Sequence, residues 1–252
     1  MTTEHYAPED FIDGCIALAS GTGQLHERHG SEQGSPFLAL NSVDDLSVPA
    51  GHLRLWEAAT DSPLDRMVYL NLLAGPVSTQ LLFVFGKADS TFPHIHVQMV
   101  RFPPNGLVYN VDILPRLDAI DHFNWHQRVY SPLRRSYRKV VTNTDNSCAQ
   151  APANPLLAAL MSPWGIASQR TDATEFERVA PQLSEYLEHY FRLSAQQDWQ
   201  TATPEQQRDR DARHMQLFLS DELDPRAWAG VYRVVGESIG KQIKGHLAQP
   251  LA

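Results

Sequence analysis

Three polar side chains stand at alternate positions in the stretch Phe92-Pro93-His94-Ile95-His96-Val97-Gln98-Met99-Val100. In an extended strand this spacing puts His94, His96 and Gln98 on one face and Pro93, Ile95, Val97 and Met99 on the other. A cavity on the polar face would be lined by two imidazoles and an amide. Imidazoles with an ordinary pKa of ~6.5 exchange protons near neutral pH, as general acid and base chemistry requires. The same spacing also suits two strand histidines that are merely hydrogen-bonded at a sheet surface. A His-x-His metal enzyme would want a third ligand, such as a Glu a few residues on, and the following Val97-Gln98-Met99-Val100-Arg101-Phe102 supplies none. His122 and His126 are spaced to chelate on a helix, but nothing joins them to the strand pair, so no metal is expected.

Two carboxylates could also carry chemistry. Asp224 precedes Pro225, which is both an ordinary helix start and a place from which an acid can face a pocket. Asp112 closes a strand-like run, where a side chain bonding the following turn is the expected role.

The elements that would position these residues can be read from the pattern. Between Met67 and Leu114 short apolar runs alternate with turn residues (MVYLNLL, TQLLFVFG, HIHVQMVRF, LVYNVDIL), which predicts an antiparallel meander of four strands. Pro103-Pro104-Asn105-Gly106 reads as a hairpin turn. From Asp118 to Tyr137 apolar and aromatic groups recur at helical intervals, interrupted at Pro132. Residues 143–155 read as a loop and Ser162–Ser168 as a strand entered through a turn. Asp172 with Glu175 forms a capping-box signature ahead of Phe176, Val179, Leu183, Leu187 and Tyr190. Further helices are expected from Pro204 to Leu219 and from Asp224 onward. Residues 20–50 are rich in Gly, Ser, Asp and Pro and read as a loosely packed approach, with the compact fold beginning near His52. The sum is an α+β fold, a three-layer α/β/α sandwich on a central antiparallel sheet, with Pro8–Ser20 helping to cover one face.

Composition bounds the rest. The 252 residues carry 42% hydrophobic and 20% charged side chains, an ordinary globular balance that fits one domain spanning 1–252. Cys15 and Cys148 form no CxxC pair, which argues against thiolate metal clusters and suits a reducing compartment. The first residues carry early acids and no apolar core, unlike a secretory or transit segment, and no apolar run nears the ~18 residues of a membrane span. A cytoplasmic location is expected. A formal charge of −8 argues against nucleic-acid binding. Against that background Arg134, Arg135, Arg138 and Lys139 form a basic run, either solvated surface or a dock for an acidic partner.

Three segments in order resemble the ferredoxin-dependent bilin reductases and their relative, red chlorophyll catabolite reductase. They are His94–Val100 with Pro104-Asn105-Gly106 and Val111–Arg116, then Met161-Ser162-Pro163-Trp164-Gly165-Ile166-Ala167-Ser168, then Asp224-Pro225 with Gly236-Glu237 further on. The resemblance spans roughly residues 64 to 250. It implies an α/β/α sandwich that holds a linear tetrapyrrole, such as biliverdin, between the sheet and the C-terminal helices. Reduced ferredoxin is then the external electron donor, no cofactor is tightly bound, and CH–CH groups are reduced by alternating electron and proton transfers. Gln98 falls where that family carries Asp or Glu, and an amide is no acid at neutral pH. His96 is therefore the expected proton donor, with Asp224 as a second acid and His94 beside them. The loss of an acid at Gln98 equally suits a tetrapyrrole-binding protein without turnover. Ser162, Phe83, Arg66, Arg101 and Arg170 are the expected substrate contacts, the arginines for the propionates and Phe83 for a pyrrole face.

Overall fold

A computed structural model describes residues 8–143 apart from 23, 32 and 33, then 154–196, 198, 199 and 203–248, without the side chains of Glu9, Asn143, Gln169 and Arg170. Eight strands form one antiparallel sheet: β1 Leu25–Arg28, β2 Leu38–Asn41, β3 Pro49–Ala58, β4 Leu64–Ala74, β5 Val77–Gly86, β6 His94–Phe102, β7 Gly106–Leu114 and β8 Ile166–Thr171. Their spatial order is β1-β3-β4-β5-β6-β7-β8, with β2 also pairing to β3. The expected meander is present as β4 to β7, and the turn at Pro103–Asn105 joins β6 to β7.

Residues 20–50 depart from the expectation of a loose approach. They contribute β1 and β2, both paired to β3. Each strand is only four residues long, too short for its alternation to stand out among Gly, Ser and Asp, and the register comes from the longer β3 beside it. β3 itself approaches β4 closely at Gly51, whose φ is +131° and where a Cβ would lie 2.0 Å from the Asn71 carbonyl oxygen.

Helices cover both faces. On one face lie α1 Pro8–Gly21, α2 Phe123–Tyr130, α3 Arg134–Asn143 and α5 Ala173–Ser194. They pack on the inward residues of β6 and β7, where Ile95, Val97, Met99, Val111 and Ile113 are all buried. Proline at position 132 breaks the α2–α3 run as expected, with a single 3-10 turn at Ser131–Leu133. Asp172 caps α5 by accepting from the Glu175 amide at 2.9 Å. The other face receives α4 Pro155–Leu160, α6 Pro204–Phe218 and α7 Pro225–Ala248, which bring Met215, Phe218, Trp228, Val235, Ile243 and Leu247 into a second core. Burying each such Leu, Ile or Phe contributes ~1.5–3 kcal/mol, so both layers are held mainly by apolar contact.

α7 is two helical segments joined at Gly236, whose φ of 80° and ψ of 161° are accessible only to glycine at low cost. The Val43 amide donates to the Val234 carbonyl at 2.8 Å, satisfying a group freed by the break.

Substituting Gly51→Ala forces a methyl group into the β4 backbone at a φ that alanine disfavours, and is expected to cost more than ~2 kcal/mol. Urea unfolding of the variant beside the parent protein measures this directly.

Candidate functional site

The sheet face beneath α6 and α7 is organised in rows set by strand register. One row reads Val68, Phe83, His96, Asp112, and the next Leu70, Leu81, Gln98, Asn110. Above them opens a cleft of about 500 Å³ between the sheet, α4, α6 and α7. Phe83, His96, Gln98 and Asn110 form its polar and aromatic floor, and Leu70, Leu72, Leu157, Met161 and Phe218 supply apolar walls. The start of α7 closes the far side with Asp224, Arg226, Trp228 and Arg233. A largely apolar hollow with a few convergent polar groups is the usual form of a small-molecule site.

His96 is buried, and burial pushes it down to about 3, so it is a neutral imidazole near physiological pH. Its Nδ1 lies 3.1 Å from Asn110 Nδ2. An amide NH₂ can only donate, so Nδ1 accepts and the ring proton sits on Nε2. The ring stacks on Phe83 with centroids 4.4 Å apart and meets the Phe218 edge at 5.3 Å. In place of the expected imidazole at its ordinary pKa stands a neutral ring whose Nε2–H is free to donate a hydrogen bond.

Asp112 stands directly opposite His96 across β6 and β7. Burial raises its carboxyl to about 6, partly opposed by two hydrogen bonds from Ser162. The Ser162 amide donates to Oδ2 at 2.8 Å, and its hydroxyl donates to Oδ1. These bonds reach residue 162, not the turn after β7, so Asp112 is more than a strand-end residue tied to its own loop. Gly165 allows the approach, since a Cβ there would sit 3.1 Å from the carboxyl carbon.

The other expected residues are distributed unevenly. Gln98, Phe83 and Asp224 line the cleft with His96. Asp224 also caps α7 by accepting from the Ala227 amide at 3.2 Å, so capping and facing the cleft coexist. Ser162 does not line the cleft, because its polar atoms are spent on Asp112. His94 and Arg66 share the sheet face but lie one row beyond His96 and Phe83, in a separate cavity. Arg101 borders a surface hollow at the β6–β7 turn. Alternation explains this, since its neighbour Val100 lines the cleft. Arg170 lies in β8, with its side chain outside the described residues. Arg226, Arg233, Trp228 and Asn110 were missed; the arginines and Trp228 sit on α7 at positions where a helix read alone shows no preferred face. The basic run Arg134–Lys139 is on α3, across the sheet from the cleft.

Among the described residues no group of three His, Cys, Asp or Glu side chains is placed to hold a metal ion. Nε2 of His126 contacts the Leu117 carbonyl at 2.8 Å. No described helix is long and apolar enough to cross a membrane.

A single antiparallel sheet between two helical layers is the fold that this chain shares with a solved bilin reductase. The solved structure of phytochromobilin synthase from tomato in complex with biliverdin superposes on it with a TM-score of 0.70, covering 94% of this chain and 80% of that one at 14% sequence identity. No family model and no curated protein matches the sequence.

Burial of His96 and Asp112 gives stability signatures of opposite sign. His96 is depressed on folding, so it costs ~1.4 kcal/mol per pH unit as pH falls from 6 to 4, where only the unfolded chain binds its proton. Asp112 is raised, so in the same window it stabilises by a similar increment, which is lost as pH climbs through about 6. His96→Gln is expected to flatten the acid limb by that slope and Asp112→Asn to steepen it, measured by urea unfolding at successive pH values.

Proposed function

We propose that the cleft binds a linear tetrapyrrole of the biliverdin class and reduces one of its carbon–carbon double bonds, with electrons delivered singly by reduced ferredoxin. The observation that carries this reading is the floor of the cleft, where His96, Gln98 and Asn110 come together, with the buried Asp112 beside His96 on β7 and Asp224 lining the cleft just ahead of α7. The bilin-reductase fold supports it, and the neighbour of that fold was solved with biliverdin bound.

Each double-bond reduction takes two electrons and two protons. Asp112 is the proton reservoir in this reading, since a carboxyl near pH 6 holds a proton part of the time and releases it readily. His96, its neighbour on the cleft side, offers Nε2–H to the pigment and conveys the proton with the help of water. Gln98 and the Asn110 amide oxygen, which is buried with no partner among the described residues, act as hydrogen-bond partners for the pyrrole and lactam groups. Asp224 is the second acid. Arg226 and Arg233 at the cleft replace Arg66 and Arg101 as partners for the two propionates. The apolar walls exclude bulk water from radical intermediates.

An acidic electron donor would dock on a basic surface. Arg134, Arg135, Arg138 and Lys139 lie beyond the sheet, whereas Arg226 and Arg233 stand at the cleft itself, so we place the approach of the donor there.

The amide at Gln98 favours a second reading, a protein that holds the tetrapyrrole without turning it over. Anaerobic incubation with biliverdin, ferredoxin and a ferredoxin reductase separates the two by absorbance. A new product spectrum is expected from the parent protein; a binding shift with no product would leave only the second reading. Asp112→Asn and His96→Gln are each expected to keep the binding shift and slow product formation by at least ~100-fold, the usual weight of a positioned acid.

A further inference from the structure

The row beyond His96 and Phe83 floors a second cavity of about 390 Å³, bounded by β4, β5 and the exposed side of α6. Phe83, His96 and Phe218 pack against one another and separate it from the larger cleft. Phe85, Ala88, Ala212, Met215 and Ala248 make one side of its lining apolar, and Asp65, Arg66, His94, Arg208 and Asp211 make the other polar.

Its charges are not evenly matched. Asp65 is engaged by Arg66 Nη1. Asp211 is held by the buried Arg116, with Arg210 and His94 close by. Neither carboxylate is left to attract a cation. On the donor side, Arg66 is 3% exposed, and its Nε is buried with no hydrogen-bond partner among the described residues. Arg208 forms no ion pair among the described residues. Burial pushes His94 down to about 4, so the imidazole adds no positive charge near neutral pH. Around the cavity, the guanidinium groups of Arg66, Arg116, Arg208 and Arg210 thus outnumber the carboxylates of Asp65 and Asp211 by two.

The Arg66 guanidinium lies 3.9 Å from the Phe85 ring centroid. Stacking covers one of its faces and Asp65 takes Nη1, leaving the Nε–Nη2 edge, which suits the two oxygens of a carboxylate. A phosphate has no apolar body to set against Phe85 and Met215 and would face Asp65 and Asp211. We propose that this cavity is a second ligand site, distinct from the tetrapyrrole cleft, which takes a small monocarboxylate with an apolar body between Arg66 and Arg208, its apolar part against Phe85 and Met215.

This inference stands apart from the tetrapyrrole reading and can be tested without any pigment. Isothermal titration with benzoate is expected to show saturable one-to-one binding, while benzamidine, the cationic isostere, and inorganic phosphate give none. Arg208→Ala, a change at an exposed side chain, is expected to weaken benzoate at least tenfold with the unfolding curve unchanged. Arg66→Lys, which keeps charge and loses the bidentate edge, should weaken it similarly. Absence of benzoate binding, equal binding of benzamidine, preferential binding of phosphate, or full affinity in both variants would overturn the proposal. Biliverdin added to saturation is expected to leave benzoate affinity unaltered. Loss of benzoate binding on adding biliverdin would make the cavity a wing of the larger cleft and would also overturn it.

Discussion

Arg116 is wholly buried, and everything on the cleft side of the sheet is arranged around its charge. Its guanidinium reaches the Asp211 carboxylate on α6 through Nε and Nη2 and the Lys87 and Phe92 carbonyls through Nη1. It thereby ties the end of β7, the β5–β6 connection and α6 into one unit. A charge removed from water is tolerated only with such a complete set of partners, and losing one partner is far costlier than the pair's net contribution. Although burial alone would raise the Asp211 carboxyl, its contacts with His94 and Arg116 hold it well below the usual carboxylate range. α6 is therefore pinned where Phe218 meets His96 and Phe83, and the depth of the cleft follows.

Once α6 is fixed, dehydration decides which groups can do acid–base work. The same desolvation acts in opposite senses on the two neighbours of one row. It holds the His96 imidazole neutral and raises the Asp112 carboxyl towards neutrality. Ser162 tempers this by donating twice to Asp112, which opposes the rise.

Much of this was legible in the amino-acid order. The meander β4–β7, the capped α5, the Pro204 and Asp224 helices and the layered α+β architecture all follow from period-two and period-three-to-four patterning with identifiable turn and cap residues. Gln98, His96, Phe83 and Asp224 were found at the cleft because alternation is strict along β6 and because Asp-Pro marks a helix start. What could not be read depends on distance along the chain. β1 and β2 take their structure from β3; Ser162 meets Asp112 across fifty positions; and a pKa reflects how many layers lie overhead, which no local pattern records. His94 shares the polar face with His96 and Gln98, as alternation requires, but the row on which Phe218 descends is a matter of packing, and it divides that face into two compartments.

The break at Gly236 has a mechanical meaning for the larger compartment. An unbroken α7 would behave as a lever, transmitting any tilt at its start to Ile243 and Leu247 in the second core. With the ladder interrupted, the leading segment bearing Trp228 and the two rim arginines is coupled to the trailing one by a few discrete ties, among them Lys244 to Asp221 and over the Trp228 ring. The leading segment thus takes its own direction over the cleft, set by the packing of Trp228 and Val235, while Ile243 and Leu247 set that of the trailing one.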